Sequence, residues 1–337
     1  MPTTTSGSEL AAAVAPVPST LGGAGWSARV AGHAEEVRAG LLWTRCGYRS
    51  ESAPLLAVML GWPPDSIAAI AEPAAALMTG AVDLGAMRAE TEAVAAAFES
   101  AGVRVLIARP DAGTRPNFVF MRDLFVTTPD GIVLGRVASR QRAGEERYAA
   151  AALAAAGYPI LATAAGHATL EGADALWLDR NTVMVGIGFR TNAAGAECLR
   201  RVLGDQGVAV VTTTLGRGVQ HLLGAVTFLD ERLAALHGGA ATGELRALLR
   251  SRGIEVVELA PDDEVRARRA MNLVALGPRR VLMPAGAPGV RRRLERSGVE
   301  VAEIRVDQHI RAAGALGCMT GILRRDEGKP GSIEKGR

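Results

Sequence analysis

Gly102-Val-Arg-Val-Leu-Ile-Ala108 is a glycine followed at once by an apolar strand, at the end of an alanine-rich helical stretch. The same arrangement returns at Gly157 (before YPILAT), Gly207 (before VAVVTT), Gly253 (before IEVVEL) and Gly298 (before VEVAEI). The strand starts, at 103, 158, 208, 254 and 299, fall 55, 50, 46 and 45 residues apart. A glycine there can close a helix in the left-handed conformation without a side-chain penalty. Working outward, paired apolar runs precede most of the helices. Phe118–Thr127 and Ile132–Val137 flank Pro129-Asp130-Gly131; Ala175–Leu178 and Thr182–Ile187 flank Asp179-Arg180-Asn181; Leu273–Leu276 and Arg280–Met283 flank Gly277-Pro278. Short turns between apolar runs signal hairpins. The unit is therefore strand, strand, helix, strand, repeated about five times, each copy burying its apolar face on the next. Five such units can close into a ring around a central channel. An open doubly wound sheet is the bland alternative; it needs crossover helices where this chain has hairpins.

The composition excludes several function classes. Hydrophobic residues are 48% and charged residues 22% of the 337, as in a globular protein with a large core. With 38 basic and 35 acidic residues the net charge is +3, too small a bias to argue for nucleic acid. The clusters Arg266–Arg269 and Arg291–Arg293 read as solvated faces. No apolar run is long enough for a membrane span, and no secretory leader is read at the start. Cys46, Cys198 and Cys318 form no CxxC pair and no disulfide framework, which points to a reducing, cytoplasmic setting. Neither cysteines nor histidines show metal-ligand spacing, so no metal and no cofactor is expected. Residues 1–42, rich in small and polar types, are expected to form an arm with one short helix near Arg29–Leu41. Residues 43–325 are expected to form one domain, and 326–337 a loose tail.

Chemistry-bearing residues fall at matching places in the units. Asn117-Phe-Val-Phe-Met-Arg-Asp123 lies in the second, Glu171-Gly-Ala-Asp174 opens the third and His221-Leu-Leu223 opens the fourth. Gly314-Ala-Leu-Gly-Cys318-Met-Thr-Gly321 closes the fifth. Each has a structural reading when taken alone. Cys318 could be an inert buried thiol, Asp123 the partner of Arg122, Glu171 and Asp174 loop carboxylates, and His221 a core histidine. A shared register on a closed ring would bring them to one axis.

These motifs resemble those of the pentein superfamily of guanidine-modifying enzymes, which includes arginine deiminases, dimethylarginine dimethylaminohydrolases and amidinotransferases. The likeness runs from about Cys46 to Arg325. It implies a five-bladed α/β propeller, in agreement with the repeat. It also implies Cys318 as nucleophile, His221 as acid/base, and Asp123 and Glu171 as guanidinium-binding carboxylates. Glu171 could orient either His221 or the substrate. Arginines 19 residues after Asp123 and Glu171, namely Arg142 and Arg190, would hold a substrate carboxylate. Asn117 would help at that end, although Arg142 also reads as a solvated arginine beside Arg136 and Arg140. Where deiminases carry H-L-D this chain has His221-Leu222-Leu223, so Leu223 replaces a carboxylate that Asp174 could supply instead.

The expected reaction is hydrolysis of arginine or an N-substituted arginine through a covalent thiouronium. An amidinotransferase, which passes the same intermediate to an amine, is the alternative. A non-catalytic member of the fold is a remote one, because the Cys/His pair is present. The expected partner is a small guanidino compound, not nucleic acid or membrane; a homo-oligomer is left open.

Overall fold

The computed structural model describes residues 16–111 and 113–326. Of the expected arm, residues 1–15 lie outside the described residues, as does the expected tail beyond Asp326. Helix α1 (His33–Ala39) falls where the arm was expected to hold a helix. It is laid against the second unit: His33 Nε2 donates to the Asp130 carbonyl at 2.9 Å, and the Thr44 amide donates to Gly157 O at 2.9 Å.

The ring follows. Its first unit is β1 (Leu55–Gly61), α2 (Leu84–Ser100) and β2 (Arg104–Ala108). The second is β3 (Phe125–Thr128), β4 (Gly131–Leu134), α3 (Glu145–Ala155) and β5 (Ile160–Thr163). The third is β6 (Ala175–Asp179), β7 (Thr182–Ile187), α4 (Ala193–Gly204) and β8 (Ala209–Thr214). The fourth is β9 (Val226–Asp230), β10 (Leu233–His237), α5 (Gly243–Ser251) and β11 (Glu255–Leu259). The short α6 (Asp263–Arg266) leads into the fifth: β12 (Val274–Gly277), β13 (Arg280–Pro284), α7 (Pro288–Arg296) and β14 (Glu300–Ile304). Two more short helices, α8 (Asp307–Arg311) and α9 (Leu316–Met319), precede β15 (Thr320–Arg325).

The strands form five three-stranded sheets, each with its middle strand antiparallel to one neighbour and parallel to the other. The first sheet borrows its inner strand from the far end of the chain: β15 pairs with β1, Met59 opposite Gly321, and so closes the ring. This is a five-bladed α/β propeller.

Burial grades outward along each blade. The inner strands β3 and β12 are buried at every residue, whereas the outer strands β5 and β11 expose half or more of theirs. The five glycines that end the helices take φ values between 65° and 80°. After each, the next amide reaches back to a carbonyl five residues earlier: Val103 to Phe98, Tyr158 to Leu153, Val208 to Leu203, Ile254 to Leu249, Val299 to Leu294. Both members of every pair are buried. This hydrogen-bond pattern, with its apolar contact, sets the angle at which each helix hands over to its outer strand.

One expectation changes in detail. Phe118–Leu124 is not strand but two 3-10 turns, and β3 begins only at Phe125. Among the inner strands lies a void of about 20 Å³, lined in part by Glu51, Arg122, Leu223 and Arg325, and Arg122 is ion-paired to Glu51 at 3.2 Å.

Candidate active site

Each chemistry-bearing residue lies in the turn that enters an inner strand. Asp123 ends a 3-10 turn just before β3, Glu171 and Asp174 flank another before β6, and His221 caps a third before β9. Cys318 lies in α9, two residues before β15. Equivalent turns on five blades point the same way, so residues far apart in sequence converge at one mouth of the ring. The turns need close backbone approach. A Cβ on Gly172 would lie 2.2 Å from the Phe125 carbonyl oxygen and 2.4 Å from that of Arg122. That is the reason for glycine inside Glu171-Gly172-Ala173-Asp174.

The centre of the cluster is His221, buried, with Nε2–H donating to Glu171 Oε2 at 2.7 Å and Nδ1 3.8 Å from Asp123 Oδ1. Burial disfavours the imidazolium, but Asp123, Asp174 and the hydrogen bond to Glu171 outweigh it and lift the His221 pKa to about 9. For Glu171, burial pushes up, while His221, Arg142 and Arg190 together hold it well below the usual carboxylate range. Glu171 also accepts from the Ala138 amide at 2.9 Å, which ties the second blade to the third.

The remaining expected residues fall into two groups. Arg142 and Arg190 do converge on the site, but their guanidiniums are already engaged. Arg142 donates to Asp123 Oδ2 and to Glu145 Oε2, and lies 3.8 Å from Glu171 Oε2; Arg190 sits 3.3 Å from Glu171 Oε2 and stacks beside Phe189. Burial lifts the Glu145 carboxyl to about 8 even with Arg142 against it. Asp174 accepts from the Leu222 amide at 2.9 Å and so braces the turn that carries His221; burial raises its pKa to about 6. Asn117 donates to the Ala76 carbonyl at 2.7 Å and holds a neighbouring loop. In this structure Asn117 and Asp174 brace backbone, and Leu223 packs against Gly317 beside the thiol.

Cys318 is half-buried and shares a cavity of about 440 Å³ with His221, Leu223 and Asn272. Asn272 was not expected. Its Nδ2 lies 3.0 Å from Cys318 Sγ, its Oδ1 accepts from the Cys318 amide at 3.0 Å, and its carbonyl accepts from Gly317. The signal existed in the register: Asn272 stands two residues before β12, as Asp123 stands two before β3 and Cys318 two before β15. Burial and then the Asp123 carboxylate push the Cys318 thiol up, and the Asn272 amide pulls it down. The three cysteines are unpaired.

Carboxylate oxygens of Asp123 and Glu171 and a ring nitrogen of His221 lie within 4.8 Å of one another, a spacing that suits a cation. Among the described residues Asp123 Oδ1 is buried without a donor. Such an oxygen costs roughly 1–3 kcal/mol until a donor reaches it.

Comparison with known proteins bears on the family and the fold. Residues 113–239 match the family model for arginine deiminase. The chain is 31% identical over 183 residues to an uncharacterized protein of Aeropyrum pernix, an alignment covering 54% of this chain and 63% of that one. It thus spans a little under two thirds of that relative. Against the N(G),N(G)-dimethylarginine dimethylaminohydrolase of Streptomyces coelicolor the identity is 30% over 208 residues, covering 61% of this chain and 74% of that enzyme. The chain belongs to the pentein superfamily. The fold of this pentein also overlays the dimethylarginine dimethylaminohydrolase of Pseudomonas aeruginosa in complex with citrulline. The TM-score is 0.66 at 21% identity, over 81% of this chain and 100% of the other. Among the described residues of the pentein no helix is long and apolar enough to cross a membrane.

Proposed function

We propose that this pentein hydrolyses the guanidinium group of arginine or an N-substituted arginine, with Cys318 as nucleophile and His221 as acid and base. The observation that carries the reading is the donorless Asp123 Oδ1 beside a protonated His221, a paired Glu171 and the Cys318 cavity. A substrate guanidinium supplies the missing donors in a planar array, with Asp123 and Glu171 as its acceptors. Its entry requires Arg142 and Arg190 to give up their present hold on those carboxylates. The arriving cation offsets the Asp123 charge that disfavours the thiolate, so the nucleophile is activated as the substrate binds.

The thiolate adds to the guanidinium carbon. The C–N bond to the departing amine then breaks as His221 delivers its proton, leaving a thiouronium on Cys318. Neutral His221 next takes a proton from water. The hydroxide adds to the same carbon, the C–S bond breaks, and a ureido product such as citrulline departs while the thiolate is restored. Asn272, hydrogen-bonded to the sulfur, positions it. Leu223 presents an apolar wall where an aspartate would grip an unsubstituted nitrogen, which favours substrates bearing an alkyl group there. Residues 43–325 are taken as the catalytic domain, and the free thiol suits the cytoplasm.

The test is to incubate the protein with arginine and with Nω-methylated arginines, follow kcat/KM for each, and weigh the intact protein during turnover. The expected results are a mass gain located on Cys318, loss of turnover in Cys318→Ser, and faster reaction of the methylated compounds. Near-wild-type turnover by Cys318→Ser would end the covalent mechanism. A tenfold or greater preference for plain arginine would overturn the reading of Leu223 alone. Adding glycine or hydroxylamine checks for transfer to an amine: a new guanidino product would make the protein a transferase.

A further inference from the structure

The cavity that reaches Cys318 is not walled by the two arginines buried at the carboxylates. Its outer lining carries three others, Arg217, Arg266 and Arg269, and includes no Asp or Glu. Arg217 stands in the loop between the third and fourth blades. Arg266 ends α6, and Arg269 follows it in the turn before β12. Among the described residues no hydrogen bond or ion pair engages any of these three side chains. Their neighbour Arg268 differs, donating to Asp307 Oδ1 and to the Ala285 carbonyl, each at 3.0 Å.

The placement of Arg269 is built. Its φ of 55° is a left-handed conformation that a side chain adopts at a cost. In that turn its carbonyl accepts from the Asn272 amide at 2.8 Å, and Asn272 in turn holds Cys318. One strained turn therefore sets both the residue at the sulfur and a cation at the mouth. Three unpaired guanidiniums and no carboxylate form a half-site for an anion, and they repel an ammonium group.

We infer that Arg217, Arg266 and Arg269 bind the outer end of the substrate as an anion. The preferred class is a guanidino acid whose carboxylate is not accompanied by a free ammonium, the α-amine being absent or acylated. This rests on the guanidine-hydrolase reading above and narrows it. A free α-ammonium would face three like charges, with no carboxylate in the cavity lining to pair with it.

Four guanidines test it: 4-guanidinobutyrate, Nα-acetylarginine, arginine and agmatine, whose tail is cationic. The wild-type protein should favour the first two over arginine by at least tenfold in kcat/KM, with agmatine last. Arg266→Gln combined with Arg269→Asn should raise KM for the two acids at least tenfold with kcat within about threefold. Asparagine is chosen because it tolerates the left-handed backbone. The same double variant should improve agmatine, an inversion that general damage to the fold cannot produce. The exposed Arg217→Gln, made singly, should shift both KM values in the same directions. Arginine or agmatine matching the acids on the wild-type protein, or KM for the acids within twofold in the variants, would overturn the inference. If instead no guanidine, methylated arginines included, leaves an adduct on Cys318 or is turned over, the hydrolase reading itself fails and this inference with it.

Discussion

His221 holds its proton to about pH 9 because three carboxylates surround it in a buried place that would otherwise strip the proton away. At neutral pH it therefore carries the proton that the proposed reaction would hand to a leaving amine. The sign of the pH effect follows. kcat/KM should fall as pH rises through about 9, by roughly tenfold per further unit while one proton is lost. Stability moves the same way. The folded pKa lies above the unfolded value of about 6.5. The contribution is whole below that value and is lost as pH climbs through about 9. A rate profile on the wild-type protein, with the unfolding midpoint recorded across the same range, checks both. An alkaline limb at or below pH 7 would detach His221 from the chemistry. At this scale the types and spacings of Asp123, Glu171, His221 and Cys318 could be read in the sequence, because each motif precedes a recognisable strand. Arginine partners could not. A guanidinium at the end of a long side chain reaches many groups, and spacing alone does not tell that Arg142 meets Asp123 and Glu145. The same ambiguity hid Arg266 and Arg269, which read as a solvated run and stand at the mouth of the cavity.

The turns that enter the inner strands are the elements on which the site depends. Gly172→Ala is a one-carbon change that would drive a methyl group into two carbonyl oxygens of the preceding blade. Overpacking of this kind costs about 1–3 kcal/mol, and here it also shifts Glu171 and the His221 turn that Asp174 braces. The variant should melt several degrees lower and lose activity at temperatures where it stays folded. Chemical denaturation with matched rate measurements would show this, and an unchanged midpoint would mean that the turn yields easily. Elements as such were legible where glycine and apolar period coincide: the five helix-ending glycines all take the left-handed conformation expected of them. Phe118–Leu124 misled because a buried turn is as apolar as a strand. With both faces covered there is no alternation to reveal the difference.

For the molecule as a whole, the pairing of β15 with β1 is what makes five blades a ring. It buries Ile322 and Leu323, and Thr127 Oγ1 of the second blade donates to the Ile322 carbonyl at 2.6 Å. Removing residues 320–325 would leave β1 with an open edge and an exposed apolar flank. The truncated chain should lose its cooperative unfolding transition and associate, as seen by circular dichroism and gel filtration. A monomer with a sharp melt would show that four blades and a remnant suffice. The number of units was countable from the sequence, but the partner that completes the first was not. Strand pairing between distant segments leaves no local mark.

That closure has a consequence for the order in which the protein comes into being. A ribosome delivers the carboxylates with the second and third blades, then the imidazole with the fourth. The sulfur arrives just ahead of the sealing strand. Until then the growing ring lacks both the thiol and its closing strand, and on the proposed mechanism a fragment released early would carry no nucleophile. On the proposed mechanism, guanidine chemistry begins only on molecules translated past the strand that seals them, so turnover per mole of protein would gauge how many chains reached it.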